Sequence, residues 1–191
     1  MVEPGLLPLA IQLRERRCVC IGGGALAARR VPTLLGAGAL VTVIAPDLHP
    51  SLAELHAAGA FDFAPRSYQA GDLAGAFLAL AATGVPTVDA AVAAEGQAAG
   101  ILICSASDPA AGNCQFMATV RRGPLLVGVQ TSGVAPAVSA ALRARIDALL
   151  PEDLGQILEQ IGALRRELRT AVPDAAERAR RWQCVTASGA I

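Results

Sequence analysis

The chain is 191 residues long, 53% hydrophobic and 17% charged, and its 16 basic and 16 acidic residues cancel. That is enough apolar material for one full domain and a smaller appendage, and it excludes a disordered chain. Every basic residue is arginine, which excludes a lysine Schiff base, and no basic run is dense enough to bind nucleic acid through its phosphates.

The N-terminus, Met1 to Pro8, carries an acid and prolines where a signal peptide needs a basic start and an apolar core. No apolar run approaches the roughly 18 residues of a membrane span. The expectation is a cytoplasmic protein with no membrane partner. Val19-Cys20-Ile21 then reads as a short buried strand that breaks into Gly22-Gly23-Gly24 and passes into a helix over Ala25 to Leu35, with Pro32 expected to bend or shorten it. A strand, a glycine turn and a helix start make a phosphate site: the backbone turns tightly, and free N–H groups sit at the positive end of the helix dipole. The spacing is G-x-G-x-x-A, a variant of the dinucleotide fingerprint that is weak alone.

After Gly36-Ala37-Gly38, the β-branched run Leu40 to Ala45 is a second strand, Pro50 to Ala58 a short helix, and Phe61-Asp62-Phe63 a third, more peripheral strand. Phe77 to Thr83 is continuously apolar until its last residue, as a strand buried on both faces should be. A helix over Val85 to Ala99 and a strand over Ile101 to Cys104 follow. This alternation argues for a Rossmann-like α/β parallel sheet over about residues 1–115. Pro124 to Thr131 is one more strand, ahead of the polar turn Thr131-Ser132-Gly133. Helical periodicity then returns over Ala137 to Leu150, Leu154 to Leu168 and Ala175 to Trp182, and the last residues, 187–191, are expected to fray. We divide this half into a segment over 116–150 and a small helical domain over 151–191. The five cysteines are odd in number and scattered; Cys18 and Cys20 share a strand face, where apolar filler is favoured over a metal site.

In dinucleotide folds an acid about 20 residues beyond the glycines holds the adenosine ribose. Here Ala45-Pro46-Asp47 stands at that place with no neighbouring arginine to receive a 2′-phosphate, which favours NAD over NADP. Asp47 could equally cap a turn before Pro50.

Several short motifs occur in one order: Leu7-Pro8-Leu9, Gly22-Gly23-Gly24-x-x-Ala27-x-Arg29-Arg30, Leu80-Ala81-Ala82-Thr83, Gly123-Pro124-Leu125, Thr131-Ser132-Gly133-x-Ala135-Pro136, Leu149-Leu150-Pro151, Leu154-Gly155-Gln156 and Arg180-Arg181-Trp182. In this the chain resembles the precorrin-2 dehydrogenase / sirohydrochlorin ferrochelatase family of sirohaem synthesis over most of its length. It looks like the stand-alone form, with no methyltransferase domain before the sequence ends at Ile191. The resemblance implies NAD-dependent oxidation of precorrin-2 to sirohydrochlorin, followed in some members by ferrous iron insertion. It also implies a homodimer joined through the middle segment and a helical tail that helps enclose the tetrapyrrole. By position Ala25, Leu26, Pro46 and Asp47 match NAD contacts, with Gly22, Gly23, Gly24 and Thr83 beside them. Thr131 lies where some members carry a serine in the substrate cleft, and we expect that cleft to be formed by Ser107-Asp108 with Thr131-Ser132-Gly133. No resident metal site is implied.

The chain departs from that pattern at the catalytic loop. Ser107 occupies the family's aspartate position and Asp108 falls one residue late; Cys104 replaces an asparagine, and Gly84-Val85 replaces an acidic pair. These changes weigh more against metal insertion, which needs a base for the pyrrole protons, than against hydride transfer. Asp108 is a candidate base or an Asp-Pro turn residue, and Thr131 a cleft residue or a turn former. Arg121, Arg122 or Arg143 would hold substrate carboxylates, or else lie at the surface or in dimer contacts. His49 and His56 are expected at the surface. Two readings from other classes remain: an NAD(H)-binding sensor without catalysis, and an S-adenosylmethionine-dependent transferase, against which the helical tail counts.

Overall fold

The computed structural model describes residues 5–187, with side chains to 183, so the expected fraying beyond 187 lies outside the described residues. The chain divides into two compact units, Met1–Phe116 and Met117–Ile191. The first is built on β1 (Arg17–Ile21), α1 (Ala25–Gly36), β2 (Leu40–Ala45), α2 (Pro50–Ala57), β3 (Asp62–Pro65), β4 (Leu78–Ala81), α3 (Pro86–Ala98) and β5 (Leu102–Ser105). All five strands are parallel, in the order β3-β2-β1-β4-β5. The Rossmann-like sheet expected from the alternation of elements is present, and the third strand is an edge strand.

Side chains alternate across the pleat of each strand, so the two faces of the sheet make two cores. Cys18, Cys20, Val41, Val43 and Leu80 pack with Ala27, Val31 and Leu34 of α1 and Leu52 of α2. Val19, Ile21, Ala79 and Ile103 face the other way, against Val92 and Ala93 of α3 and Leu73 of the loop before β4. The cysteines are apolar filler, as expected: both are fully buried, and burial pushes their thiols up to about 11 for Cys18 and about 12 for Cys20. Burying an Ile or Val side chain stabilises by about 1.5–3 kcal/mol, so β1, with four fully buried residues in succession, anchors the sheet. Close approach of α3 to β5 depends on Gly96, where a Cβ would lie 2.0 Å from Ile103 Cδ1.

Pro32 does not interrupt α1, which runs through it to Gly36. Its ring is on the exposed side, where water can serve the carbonyl left without an N–H partner. The strand expected over Phe77 to Thr83 is only Leu78–Ala81, because Thr83 is bound into the following turn by a side chain of α3.

The second unit holds an antiparallel hairpin and three helices: β6 (Ala118–Arg122), β7 (Leu125–Val129), α4 (Pro136–Leu149), α5 (Leu154–Ala171) and α6 (Ala175–Ala187). β6 was not among the expected strands; its residues, Ala-Thr-Val-Arg-Arg, show a single buried position, Val120. Arg122 pairs with Leu125 across the two-residue turn Gly123-Pro124, with Gly123 at φ +54°. Glycine in the first position and proline in the second suit a type II′ hairpin. Gly123 also lies directly on α5: a Cβ there would be 2.9 Å from the Cα of Gly155, and one on Gly155 would be 2.9 Å from the nitrogen of Gly123.

Candidate nucleotide site and catalytic loop

β1 sits in the middle of the strand order, with β2 and β3 on one side and β4 and β5 on the other. The chain therefore reverses direction between β1 and β4, and open α/β sheets bind ligands at the carboxyl ends of strands at such a switch point. The glycine turn is at this place. Gly22 has φ +112°, and a Cβ on it would stand 2.2 Å from the carbonyl oxygen of Ala82, just past β4. A Cβ on Gly23 would stand 2.2 Å from the carbonyl oxygen of Asp47, past β2. Backbone bonds tie the three strand ends together: Gly22 N to Ile44 O at 2.9 Å, Ala82 N to Ile21 O at 2.8 Å and His49 N to Gly23 O at 2.7 Å.

Gly24 differs from both. It caps α1 at φ −81°, contributes no side-chain cap, and a Cβ on it would meet nothing within 4 Å. The first hydrogen bond of α1 runs from Ala28 N to Gly24 O, so the amides of Ala25, Leu26 and Ala27 precede it, and no acid stands in the first turn. Unpaired amides, a positive dipole end and open space above Gly24 fit a pyrophosphate. Ala27, at the last position of the fingerprint, is fully buried between α1 and the sheet, where a small residue lets helix and strand pack closely.

Of the other expected cofactor residues, Pro46 and Asp47 are exposed just beyond β2. The cap of α2 is His49, whose Nδ1 accepts from Ser51 N at 3.4 Å, so Asp47 does not do that job. His56, also at the surface, packs at a tilt against Phe61 and edge-to-face against Phe63.

Thr83 is held by Asp89, which sequence reasoning missed. Asp89 Oδ1 accepts from Thr83 N at 3.0 Å and from Thr83 Oγ1 at 2.7 Å, and Asp89 is only 1% exposed. Its other carboxylate oxygen is buried with no hydrogen-bond partner. The signal was available: Asp89 precedes Val92, Ala93 and Gly96 at helical spacing, an acid on the buried stripe of α3.

The loop that holds the expected catalytic residues leaves β5 at Ser105. Ser107 and Asp108 are exposed, and Asp108 caps a 3-10 turn over Pro109–Ala111 by accepting from Ala110 N through Oδ1 at 2.9 Å. In the second unit Thr131 Oγ1 lies 2.9 Å from Ser139 Oγ and accepts from Ala135 N at 3.3 Å. Thr131 thus organises the start of α4, while Ser132 (φ +53°) and Gly133 (φ +77°) form an exposed left-handed turn. Asp147 pairs with Arg122 at 2.5 Å and with Arg143 at 3.7 Å. Arg121 is exposed on β6, and no carboxylate pairs with it among the described residues. A hollow of about 750 Å³ lined by Tyr68, Leu73, Glu95 and Ile101 lies on the α3 side, toward the amino ends of β4 and β5 and away from the glycine turn. Among the described residues no helix is long and apolar enough to cross a membrane.

Comparison with known proteins agrees with this geometry. A family model described as putative NAD(P)-binding matches residues 9–118. The siroheme synthase of Chromobacterium violaceum is 36% identical over 178 residues, 93% of this chain and 38% of that protein. That of Methylobacillus flagellatus is 39% identical over 168 residues, 87% of this chain and 35% of that protein. The chain thus spans well under half the length of these relatives. Among solved structures, SirC, precorrin-2 dehydrogenase, superposes with a TM-score of 0.77 at 22% identity, over 94% of this chain and 89% of that one. With the glycine turn at the switch point and the family match over more than half its length, the chain belongs to the putative NAD(P)-binding family, is homologous to siroheme synthases and has the fold of a precorrin-2 dehydrogenase.

Proposed function

We propose that this chain oxidises precorrin-2 to sirohydrochlorin with NAD, as a homodimer joined through residues 116–150. The observation that carries the reading is the open Gly24 cradle at the switch point of a sheet that shares its fold with a precorrin-2 dehydrogenase. NAD supplies the hydride acceptor when bound. The amides of Ala25 and Leu26 hold its pyrophosphate, Asp47 its adenosine ribose, and the Asp89-Thr83 turn the wall beside the glycines. NAD is favoured over NADP because the 2′-phosphate would meet the carboxylate of Asp47 with no arginine beside it. For the substrate, Arg121 offers a fork of donors to a carboxylate, and the Ser132-Gly133 turn offers backbone amides. Asp108 takes the proton released as hydride leaves; one of its oxygens is used by Ala110 N, and its side of the loop is exposed.

Incubating the protein with precorrin-2 and NAD should give NADH absorbance and sirohydrochlorin together. NAD binding without NADH would favour the sensor reading, which the use of Asp108 as a turn cap supports. Adding ferrous ion to the same reaction tests for insertion, read as sirohaem in place of sirohydrochlorin.

A further inference from the structure

Cys104 and Cys114 stand with their sulfurs 3.1 Å apart, and the fold puts them there by a device of its own. β5 is an edge strand, and its outer edge is covered by the returning chain. Asn113 acts as a short strand partner: its Oδ1 accepts from Ile103 N at 2.7 Å, and its Nδ2 donates to Ile101 O at 2.9 Å. The backbone amides of Asn113 and Cys114 both donate to Ile103 O, at 3.0 and 3.1 Å. Gly112 permits this approach, since a Cβ there would stand 2.6 Å from the same carbonyl oxygen. The two sulfurs are therefore positioned by four hydrogen bonds between β5 and the returning chain.

We infer that Cys104 and Cys114 are a modification site: a vicinal dithiol that a small disulfide oxidises to an intramolecular disulfide. A bonded pair stands at about 2.05 Å, so closure needs the sulfurs to move together by about 1 Å. Cys114 attacks first, being half-buried where Cys104 is 6% exposed. The hydrogen bond from Cys104 also holds the Cys114 thiol below its ordinary value, while Cys104 is pushed up by that bond and by burial. The Cys114 thiolate attacks one sulfur of the reagent, the reagent's S–S bond breaks, and one thiolate leaves carrying the electron pair. Cys104 then gives up its proton to that thiolate and attacks Cys114 Sγ, expelling the second. Two protein thiols are oxidised, and one small disulfide is reduced to two thiols. The closed loop holds Ser107 and Asp108; the site itself does not depend on the proposed dehydrogenase activity.

The test is mass mapping of the whole folded chain after exposure to glutathione disulfide, acid quenching and alkylation. Cleavage before Asp89 and Asp108 separates the two cysteines into fragments 89–107 and 108–146. The expected result is the loss of two of the five thiols, with these fragments joined until dithiothreitol is added. Cys104→Ala should leave one glutathione on Cys114. Joining of any other pair, or five thiols still free in the wild-type chain, would overturn the assignment, as would an unmodified Cys114 in the Cys104→Ala protein.

Discussion

Gly22 and Gly24 are the same residue type doing two different jobs, and substitution separates them. Alanine at Gly22 adds a side chain 2.2 Å from Ala82 O at a positive φ, a strain and overpacking cost of about 1–3 kcal/mol or more. A lowered thermal midpoint is the expected result. At Gly24 an added Cβ meets nothing within 4 Å and no unusual φ is needed, so valine is the contrasting change. The midpoint should hardly move while the NAD dissociation constant, read by calorimetry, rises at least roughly tenfold. Asp89 offers a third residue-scale contrast. Alanine there strands Thr83 N, while Thr83 Oγ1 keeps Val85 O as an acceptor at 3.3 Å; the expected cost is about 1–3 kcal/mol, whereas Asn keeps an acceptor and should retain most of the stability. For Asp108 the informative change is Asp108→Asn, because an amide oxygen still accepts from Ala110 N. A general base contributes about 10²–10⁴-fold. Turnover should fall by that much with NAD binding unchanged, and unaltered turnover would remove Asp108 as the base.

Among the elements, the loop between β3 and β4 is held by carboxylates. Glu95 accepts from Gly71 N at 3.0 Å, Leu73 N at 3.1 Å and Tyr68 Oη, and Asp72 forms a two-pronged pair with Arg66. The Arg66 hydrogen bond holds Asp72 below its ordinary value. Burial alone would raise Glu95, but the bonds from Tyr68, Gly71 and Leu73 outweigh it and hold Glu95 low as well. Groups lowered by folding stabilise above their unfolded values, near about 4, and that support is lost as pH falls through their folded values. Amide protection at Gly71 and Leu73 should therefore drop selectively in acid, and Glu95→Gln should flatten the response. In the second unit Gly155→Ala would push α5 off the hairpin turn at Gly123, with an expected cost of about 1–3 kcal/mol, visible in the thermal midpoint.

On the scale of the whole molecule, the two units differ in how well they are filled. The sheet unit has a core on each face, whereas in the second unit only Val120 and Leu154 are buried among the described hydrophobic residues. Leu126, Val134, Val138, Leu142 and Leu149 are exposed there, an apolar surface that a partner protomer would cover. If the protein dimerises as proposed, sedimentation should report a dimer for the native chain and a monomer for the double substitution V138E/L142E.

Hydrophobic alternation, the glycine turn and the β-branched second strand sufficed to determine the Rossmann-like sheet, because strand period and turn chemistry are local properties of the chain. The glycine turn between the first strand and the first helix was equally legible, since Gly22 to Ala27 lie within one strand-to-helix connection. What tertiary structure alone decided are the pairings between residues distant in sequence. β6 has only one buried side chain and takes its strand form from β7. Gly123 and Gly155 need each other's lack of a Cβ, and Asn113 finds its partners on β5 only after the chain has turned back. Asp89 showed in the sequence as an acid among alanines; its partner Thr83 became evident only when β4 and α3 were placed. A pattern along the chain records which side chains are buried, but not which donor and acceptor, or which two bare backbones, the fold brings within contact.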